Sequence, residues 1–217
     1  MIFVNFKNYP QAKGANAIKL ALICEQAADK TGVPIIPCVS SLDLAKVVEA
    51  TDIPVWVQHL DPVDNEKTTG FITAKAVKEQ GAWGTLLNHS EHPLDFENLK
   101  KSLIMAASAG LRILVLVKDL NSACQVDQLS PDYIGLEEPS LIGGTVAMAQ
   151  VESEKIKIKE FCRAIKAVPV VGAGINNAGD VKTSLALGAK GILISSGVVL
   201  ADKPLQILEE LAVSFTY

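Results

Sequence analysis

Three polar side chains lie at the ends of apolar segments of the sequence, and together they could transfer a proton. Lys7, His89 and Glu137 each stand at or just after the end of a short, mostly apolar run. A carboxylate can act as a base, while an imidazole and an ammonium can stabilise negative charge that develops on an oxygen. Singly, they could be a solvated loop lysine, a hydrogen-bonded loop histidine and a surface acid. Jointly, we favour a functional site.

Two loops of small residues near the end of the chain could hold an anion. Residues 172–174 read Gly-Ala-Gly, and residues 195–197 read Ser-Ser-Gly. Small residues let backbone N–H groups approach a phosphate closely, especially beside the start of a helix. The alternative is a pair of ordinary tight turns, but each loop follows a predicted strand, which favours phosphate binding.

The segments that must position these groups alternate between strand-like and helix-like patterns. Eight short β-branched runs predict strands at 2–6, 33–38, 55–58, 84–88, 113–117, 133–137, 170–172 and 191–194. Amphipathic stretches between them predict helices at 15–30, 42–50, 73–80, 96–109, 154–166 and 181–187. A glycine follows four of these helices, where a left-handed backbone costs least without a Cβ: Gly32, Gly81, Gly110 and Gly188.

This alternation predicts a parallel sheet covered by helices on both faces, either open or closed. Eight units favour closure, so we expect a closed (β/α)8 barrel, with residues 1–217 forming a single domain. In such barrels the carboxyl ends of the strands meet at one face, which holds the active site. The three polar groups and both glycine-containing loops would therefore converge there.

Composition narrows the function further. A net charge of −4 and a pI near 5.4 argue against a nucleic-acid partner, which usually meets a basic face. Met1 is followed by neither a basic leader nor a membrane-length apolar segment, so we expect a cytoplasmic protein. The four cysteines are widely separated and are expected to be buried free thiols. With only three histidines besides, few soft ligands are available, so the sequence predicts no metal site.

Five strings of residues resemble the triosephosphate isomerase family, particularly its short archaeal form: VNFKNY, LLNHSE, LIGG, VGAGI and ISSGV. The resemblance spans nearly the whole chain, and LLNHSE is its most specific string. It implies a TIM barrel that acts on a triose phosphate substrate without a cofactor. It also implies the site residues, which are Lys7, His89 and Glu137 for catalysis, Glu91 in support, and Asn5, Phe6, Lys7, Ile142, Gly143, Gly174, Ser195 and Ser196 for substrate binding.

The resemblance further implies how the reaction proceeds. Glu137 would take and return a proton beside a carbonyl, neutral His89 would donate to the developing oxyanion, and Lys7 would supply positive charge. Dihydroxyacetone phosphate and D-glyceraldehyde 3-phosphate would interconvert through an enediolate. Residues 139–145 would form a lid that closes over the phosphate.

Four departures from the family pattern accompany this match. Glu138 stands where proline usually follows the base, which removes a fixed φ from the first hinge of the lid. The lid reads LIGGT instead of LIGTG. Pro93 replaces a frequent arginine, and Ala147 and Ala149 occupy positions that are often serine. None of these changes removes a predicted catalytic group, so altered rate or stability is expected before loss of activity.

The sequence also resembles the family in a loop associated with assembly. Residues 61–70 correspond to the loop that family members insert into a neighbouring subunit, which implies a homodimer or homotetramer. An apolar face could add an interface but suits the barrel core better: Leu103, Ile104, Ala107 and Leu111.

Two other functions remain open at this point. A synthase or epimerase acting on a larger sugar phosphate would share the loops after strands seven and eight, but it would lack the paired strings NFK and NHSE. A binding-only descendant would keep the pocket without turnover, and intact Lys7, His89 and Glu137 argue against it.

Overall fold

Eight parallel strands close into a barrel. In this computed structural model, which describes residues 1–137, 151–172, 175 and 177–215, the strands pair in chain order and β1 also pairs with β8. The strands are β1 Ile2–Asn5, β2 Ile35–Val39, β3 Trp56–Val57, β4 Gly84–Leu87, β5 Arg112–Val117, β6 Tyr133–Leu136, β7 Val168–Val171 and β8 Gly191–Ile194. The predicted closed (β/α)8 barrel is confirmed. That residues 1–217 form one catalytic domain stays a prediction.

Helices follow the strands and cover the outside of the barrel. They are α1 Ala15–Thr31, α2 Leu44–Ala50, α3 Ala74–Glu79, α4 Phe96–Ser108, α5 Leu120–Asp127, α6 Glu152–Ala164, α7 Ala178–Ala186, α8 Ser196–Val199 and α9 Pro204–Ala212. The six predicted helices are all present with ends moved by a few residues, but α5, α8 and α9 were not predicted. A usable signal for α5 was Asp119, whose carboxylate accepts the N–H of Ser122 as an N-cap.

The strands are apolar on both faces because each face packs in a different layer. Phe3 points into the barrel interior, whereas its neighbours Ile2 and Val4 pack in the outer layer beneath the helices. Inside the barrel, Phe3, Trp56 and Tyr133 make edge-to-face contacts with ring centroids 5.0, 5.5 and 5.8 Å apart. These rings come from β1, β3 and β6, so they fix three distant parts of the chain beneath the rim.

The four glycines predicted to end helices have the expected backbone. All of them have positive φ, at 69° for Gly32, 89° for Gly81, 70° for Gly110 and 115° for Gly188. Each therefore reverses the chain at low cost toward the next strand. This local rule, applied to sequence, locates the return points of the barrel.

Two predictions about burial were partly wrong. Cys24 and Cys38 are buried free thiols, but Cys124 is exposed on α5 and Cys162 is half-buried. On α4, Leu103 lies in the core together with Leu111 just beyond the helix, whereas Ile104 is 57% exposed and Ala107 is also exposed. The reason is geometric. Successive helical residues lie about 100° apart, so the four apolar residues span a wider arc of the helix surface than the part that contacts the barrel.

Candidate active site

Lys7 is presented to the rim by a strained turn at the end of β1. Its φ is 46°, a left-handed value that is uncommon for a residue with a side chain, and its backbone N–H donates to Oδ1 of Asn5 at 3.0 Å. Gln58, after β3, donates its Nε2–H₂ to the Lys7 carbonyl at 3.1 Å and lies 3.3 Å from the same Asn5 oxygen. Buried Asn5 and half-buried Gln58 therefore hold the strained lysine in place.

Gln58 was missed as a site residue by sequence reasoning. Its Nε2 also reaches the carbonyl of Cys38 at 3.2 Å, so one amide contacts the ends of β1 and β2 from β3. A glutamine at the end of an apolar strand is only a weak indication of a site residue, because its three hydrogen-bond acceptors belong to residues far away in sequence.

Lys7 and Glu91 form an ion pair across the rim. Nζ of Lys7 lies 2.7 Å from Oε1 of Glu91, and the glutamate side chain is well exposed. Because the glutamate partner is exposed to solvent, the pair contributes little to stability and serves mainly to orient the ammonium. The predicted supporting role of Glu91 is consistent with that geometry.

His89 is held as a neutral imidazole. Its Nδ1 accepts the backbone N–H of Glu91 at 3.1 Å, which leaves the proton on Nε2. Burial lowers the pKa of His89, with Glu91 raising it and Lys7 lowering it by smaller amounts. Nε2 lies 3.5 Å from Oε1 of Glu137. Because the imidazole is neutral, we interpret this approach as a polar contact and not as an ion pair.

Asn88 explains why the His89 ring points into the site. Its φ is 59°, and its side chain donates to the Leu116 carbonyl at 2.8 Å and accepts the Leu94 N–H at 2.9 Å. The amide thereby anchors the end of β4 to β5 and to the segment before α4. Asparagine tolerates the left-handed region better than most residues, so the turn can reverse direction at this point.

Glu137 is a buried carboxyl group aimed at the imidazole. It follows β6, its backbone N–H donates to the Val117 carbonyl at 2.9 Å, and the residue is 4% exposed. Burial raises its pKa to about 8, against a lowering by Lys7 and a further raising by Glu91. Among the described residues, none hydrogen-bonds Oε2. A carboxyl with so raised a pKa can accept and return a proton near neutral pH.

The predicted site residues line two neighbouring cavities. A cavity of about 510 Å³ is lined by Asn5, Lys7, His89 and Glu91, whereas Glu137 lines an adjoining cavity of about 450 Å³. The 3.5 Å contact between His89 and Glu137 joins the two. Thus the ammonium, imidazole and carboxyl group share one rim, although the carboxyl group lines the neighbouring hollow.

Phe6 contributes differently from the other predicted binding residues. Its side chain is fully buried in the outer layer, and its N–H donates to the Cys38 carbonyl at 3.0 Å. Any substrate contact by Phe6 would therefore involve its backbone.

The phosphate side of the site is only partly within the described residues. Ser195 precedes the short helix α8, which begins at Ser196, and its buried Oγ has no hydrogen-bond partner in the described part of the chain. Gly174, Ile142 and Gly143 lie outside the described residues. An orphaned hydroxyl beside a helix start is compatible with the predicted anion site, and phosphate binding stays a prediction.

Comparison with known proteins decides the family. A family model described as triosephosphate isomerase matches residues 1–211. This chain belongs to the triosephosphate isomerase family. The match runs from β1 into α9 and includes every predicted site residue. Membership of the triosephosphate isomerase family makes this protein an isomerase.

Archaeal triosephosphate isomerases are similar over nearly the full length. That of Methanothermus fervidus is 36% identical over 97% of this chain and 96% of its own, and that of Methanocaldococcus jannaschii is 34% identical over 97% and 98%. A solved triosephosphate isomerase from Bartonella henselae covers 100% of this chain and 98% of that chain, with a TM-score of 0.72 at 17% identity. The archaeal resemblance is confirmed, and the solved structure supports the fold.

The departures from the usual triosephosphate isomerase sequence fall mostly outside the described residues. Glu138, the LIGGT lid, Ala147 and Ala149 all lie there. Pro93 is described, and it is exposed on the wall of the cavity that Glu137 lines. Proline at this point has no side-chain charge or N–H donor to offer a ligand in that cavity.

The described residues hold neither a metal-binding cluster nor a membrane-length apolar helix. Within the ranges that the structure describes, no cluster of three or more histidine, cysteine, aspartate or glutamate side chains could hold a metal ion. Across the same ranges, no helix combines the length and apolar character needed to cross a bilayer. The predicted lack of a metal and cofactor stays a prediction.

Gly172 leaves the space that Glu137 occupies, which gives a testable prediction. A Cβ at Gly172 would lie 2.9 Å from Cγ of Glu137, closer than real side chains approach. We expect Gly172→Ala to displace the carboxyl group and lower kcat by roughly 10²-fold, because a misplacement of about 1 Å can cost that much. Steady-state kinetics and the melting temperature should be measured together.

Gly135→Ala provides the matched control. Its Cβ would crowd Cδ1 of Leu116 at 3.0 Å in the barrel interior. This variant should lose stability and largely retain kcat. Equal kcat losses in the two variants would show that general repacking, and not the position of Glu137, explains the result.

Proposed function

We propose that this isomerase interconverts dihydroxyacetone phosphate and D-glyceraldehyde 3-phosphate, with Glu137 moving the proton through an enediolate. The observation that carries the proposal is the contact of a neutral imidazole with a buried carboxyl group, 3.5 Å between Nε2 of His89 and Oε1 of Glu137. Glu137 could contact a substrate carbon while His89 contacts the oxygen bonded to it. The two groups thus supply a base and a hydrogen-bond donor.

The first step needs a base and a place for the resulting charge. The Glu137 carboxylate would remove the proton from the carbon beside the carbonyl, and the electron pair would move onto the carbonyl oxygen. The Nε2–H of His89 would donate to that oxygen, while the ammonium of Lys7 would stabilise the negative charge. Burial supports this role, because fixed donors act more strongly where water is excluded.

The second step returns the same proton to the neighbouring carbon. The Glu137 carboxylic acid would donate it, and the oxygen proton would pass between the two substrate oxygens with help from His89. The pKa of Glu137, about 8, suits both directions because the group gains and loses a proton near neutrality. The overall reaction is balanced without an oxidant or cofactor.

The substrate phosphate would lie at the loops after β7 and β8. Backbone N–H groups near Ser195 and Ser196 are the described candidates, and the predicted partners Ile142, Gly143 and Gly174 would add to them. Binding energy from the non-reacting phosphate could then help to assemble the site. Cytoplasmic location and assembly into a homodimer or homotetramer stay predictions.

A coupled assay of purified protein with each triose phosphate tests the proposal. Turnover in both directions is expected, and no turnover would contradict it. A larger sugar phosphate as sole substrate would instead favour a synthase or epimerase.

The pH profile of the ligand-free enzyme gives a second prediction. The base acts as a carboxylate, so kcat/KM should fall as pH decreases through the Glu137 pKa of about 8. Removing the negative charge of Glu91, which raises that pKa and pairs with Lys7, should move the midpoint of this fall to lower pH. kcat/KM should be measured from about pH 6 to about pH 9.5 for wild type and Glu91→Gln. An unmoved midpoint would argue against Glu137 as the titrating base.

A further inference from the structure

A pair of stacked histidines lies beside the site and is not used by the proposed reaction. The rings of His59 and His92 stack with centroids 3.8 Å apart and planes inclined by 21°. His59 follows β3 and His92 follows β4, so the stack connects two loops of the rim. Together with His89, all three histidines of the sequence line the same cavity.

The surroundings of the pair favour the neutral form of His59. His59 is 8% exposed, and its Nε2 lacks a hydrogen-bond partner among the described residues, with Oδ1 of Asp61 at 3.5 Å. Burial and the facing His92 lower the pKa of His59, whereas Asp61 raises it. One carboxylate stands near two imidazoles, so two protons on the pair would place two positive charges in a stack with one nearby counter-ion.

Other titratable groups share the cavity with the pair. They are Lys7, Tyr9, His89 and Glu91. Lys7 is already paired with Glu91, so the glutamate is not free to neutralise a second imidazolium. A doubly protonated stack would therefore be repelled both internally and by the ammonium of Lys7.

The backbone of His92 closes the turn that fixes the protonation state of His89. The N–H of His92 donates to the His89 carbonyl at 2.8 Å, and within the same turn the N–H of Glu91 donates to Nδ1 of His89 at 3.1 Å. Asn88 anchors the beginning of this turn through its side-chain hydrogen bonds. At the other end, the His92 ring is anchored by its stack on His59.

We propose that His92 is a positioning residue for His89. The His92 ring, stacked on His59, holds the turn in which the N–H of Glu91 donates to Nδ1 of His89 and keeps that imidazole neutral. A second proton on the stacked pair releases the turn. The inference rests on the proposed function in so far as neutral His89 is the hydrogen-bond donor of the reaction. According to this inference, the activity of the isomerase falls in acid for a second reason besides the titration of Glu137.

Two variants separate the ring from its charge. His92→Phe keeps an aromatic ring for the stack and cannot take up a proton, whereas His92→Ser removes the ring. In ligand-free protein, ¹⁵N–¹H correlation spectra of the histidines report the tautomer and protonation of His89 directly. Steady-state kinetics on the same samples give kcat and KM separately.

The expected result has a distinctive sign. In wild type, Nδ1 of His89 should become protonated as the pH is lowered, in step with the second proton on the stack. In His92→Phe, that transition should move to lower pH, since no second proton can release the turn. A simple charge effect predicts the reverse, because removing a nearby cation makes His89 easier to protonate. A transition that moves upward, or does not move, would overturn the proposal.

The serine variant tests the anchor itself. We expect kcat of His92→Ser at neutral pH to fall by about 10-fold with little change in KM, less than the roughly 10²-fold that a displacement of about 1 Å can cost. His92→Phe should recover most of this loss. If phenylalanine fails to restore kcat although its protein melts like wild type, the stack is not the anchor.

The experiment distinguishes this inference from the proposed function. If wild type converts neither triose phosphate, the proposed function fails, while the spectra still decide whether His92 controls the tautomer of His89. If wild type is active and the phenylalanine variant leaves both the spectra and the pH profile unchanged, the proposed function stands and the inference fails.

Discussion

Replacing Glu137 with glutamine should remove almost all isomerase turnover and, at alkaline pH, make the protein more stable. Glutamine keeps the shape of the side chain but cannot accept the substrate proton, so kcat should fall by about 10²-fold to 10⁴-fold. The same change removes a charge that the buried position disfavours. Activity and stability are thus expected to move in opposite directions.

The pH dependence of the stability gain follows from the direction of the pKa shift. Burial raises the Glu137 pKa from 4.5 to about 8, so the folded protein binds this proton more tightly than the unfolded chain does. The corresponding stability is fully present below the unfolded pKa and is lost as pH rises through about 8. Above that pH, glutamine should stabilise the fold by at most about 5 kcal/mol.

Denaturant unfolding at about pH 6 and about pH 9, alongside kcat at both values, measures the two effects. Glu160→Gln is a matched control, because Glu160 is an exposed glutamate on α6 and its replacement should change neither quantity. A Glu137→Gln protein as active as wild type would remove Glu137 from the role of base. Equal stability of wild type and Glu137→Gln at the higher pH would mean that the carboxyl group is not buried as described.

Replacing Lys7 with methionine should lower kcat/KM by roughly 10²-fold to 10³-fold, the cost of losing one group that stabilises a developing oxyanion. Methionine has similar length and must adopt the same left-handed backbone, so the comparison isolates the ammonium. Because Lys7 lowers the His89 pKa, that pKa should rise in the variant. Little change in stability is expected, since Glu91, the partner in the lost ion pair, is well exposed to solvent.

Lys7→Arg tests whether charge alone suffices. Its guanidinium keeps the charge but is larger and planar, so only part of the lost activity should return. Initial rates with both triose phosphates and the ¹⁵N resonances of His89 provide the measurements. Wild-type kcat/KM in the methionine variant would exclude Lys7 from the reaction.

Local sequence rules were sufficient for the barrel but not for every element. Strands such as β5 and β8 are predicted by apolar β-branched runs, because burial on both faces leaves few polar positions in the strand. The short helix α5 was missed because its amphipathic pattern covers only two turns, although Asp119 capped it visibly. Ile104 was placed in the core incorrectly, since sequence shows the apolar stripe but not where contact with the barrel ends.

The candidate site was predictable in its residue types and less so in its environment. Strand order brought Lys7, His89 and Glu137 to one rim, as the spacing suggested. The roles of Gln58 and Gly172 depend on contacts between strands that are far apart in sequence. The stack of His59 on His92 likewise forms only after β3 and β4 become neighbours. Burial, which sets the Glu137 pKa, is a property of the closed barrel and cannot be seen in any single segment.

Because the aromatic rings inside the barrel surround Trp56, the fluorescence of this tryptophan can report when the barrel closes. Trp56 is 2% exposed between rings contributed by β1 and β6, whereas the other tryptophan, Trp83, is 57% exposed. During refolding, the fluorescence of Trp56 should shift to shorter wavelength when the first, third and sixth strands meet, while Trp83 keeps a water-exposed emission. A Trp83→Phe protein would thus carry a single optical probe for the moment at which the strands enclose an interior.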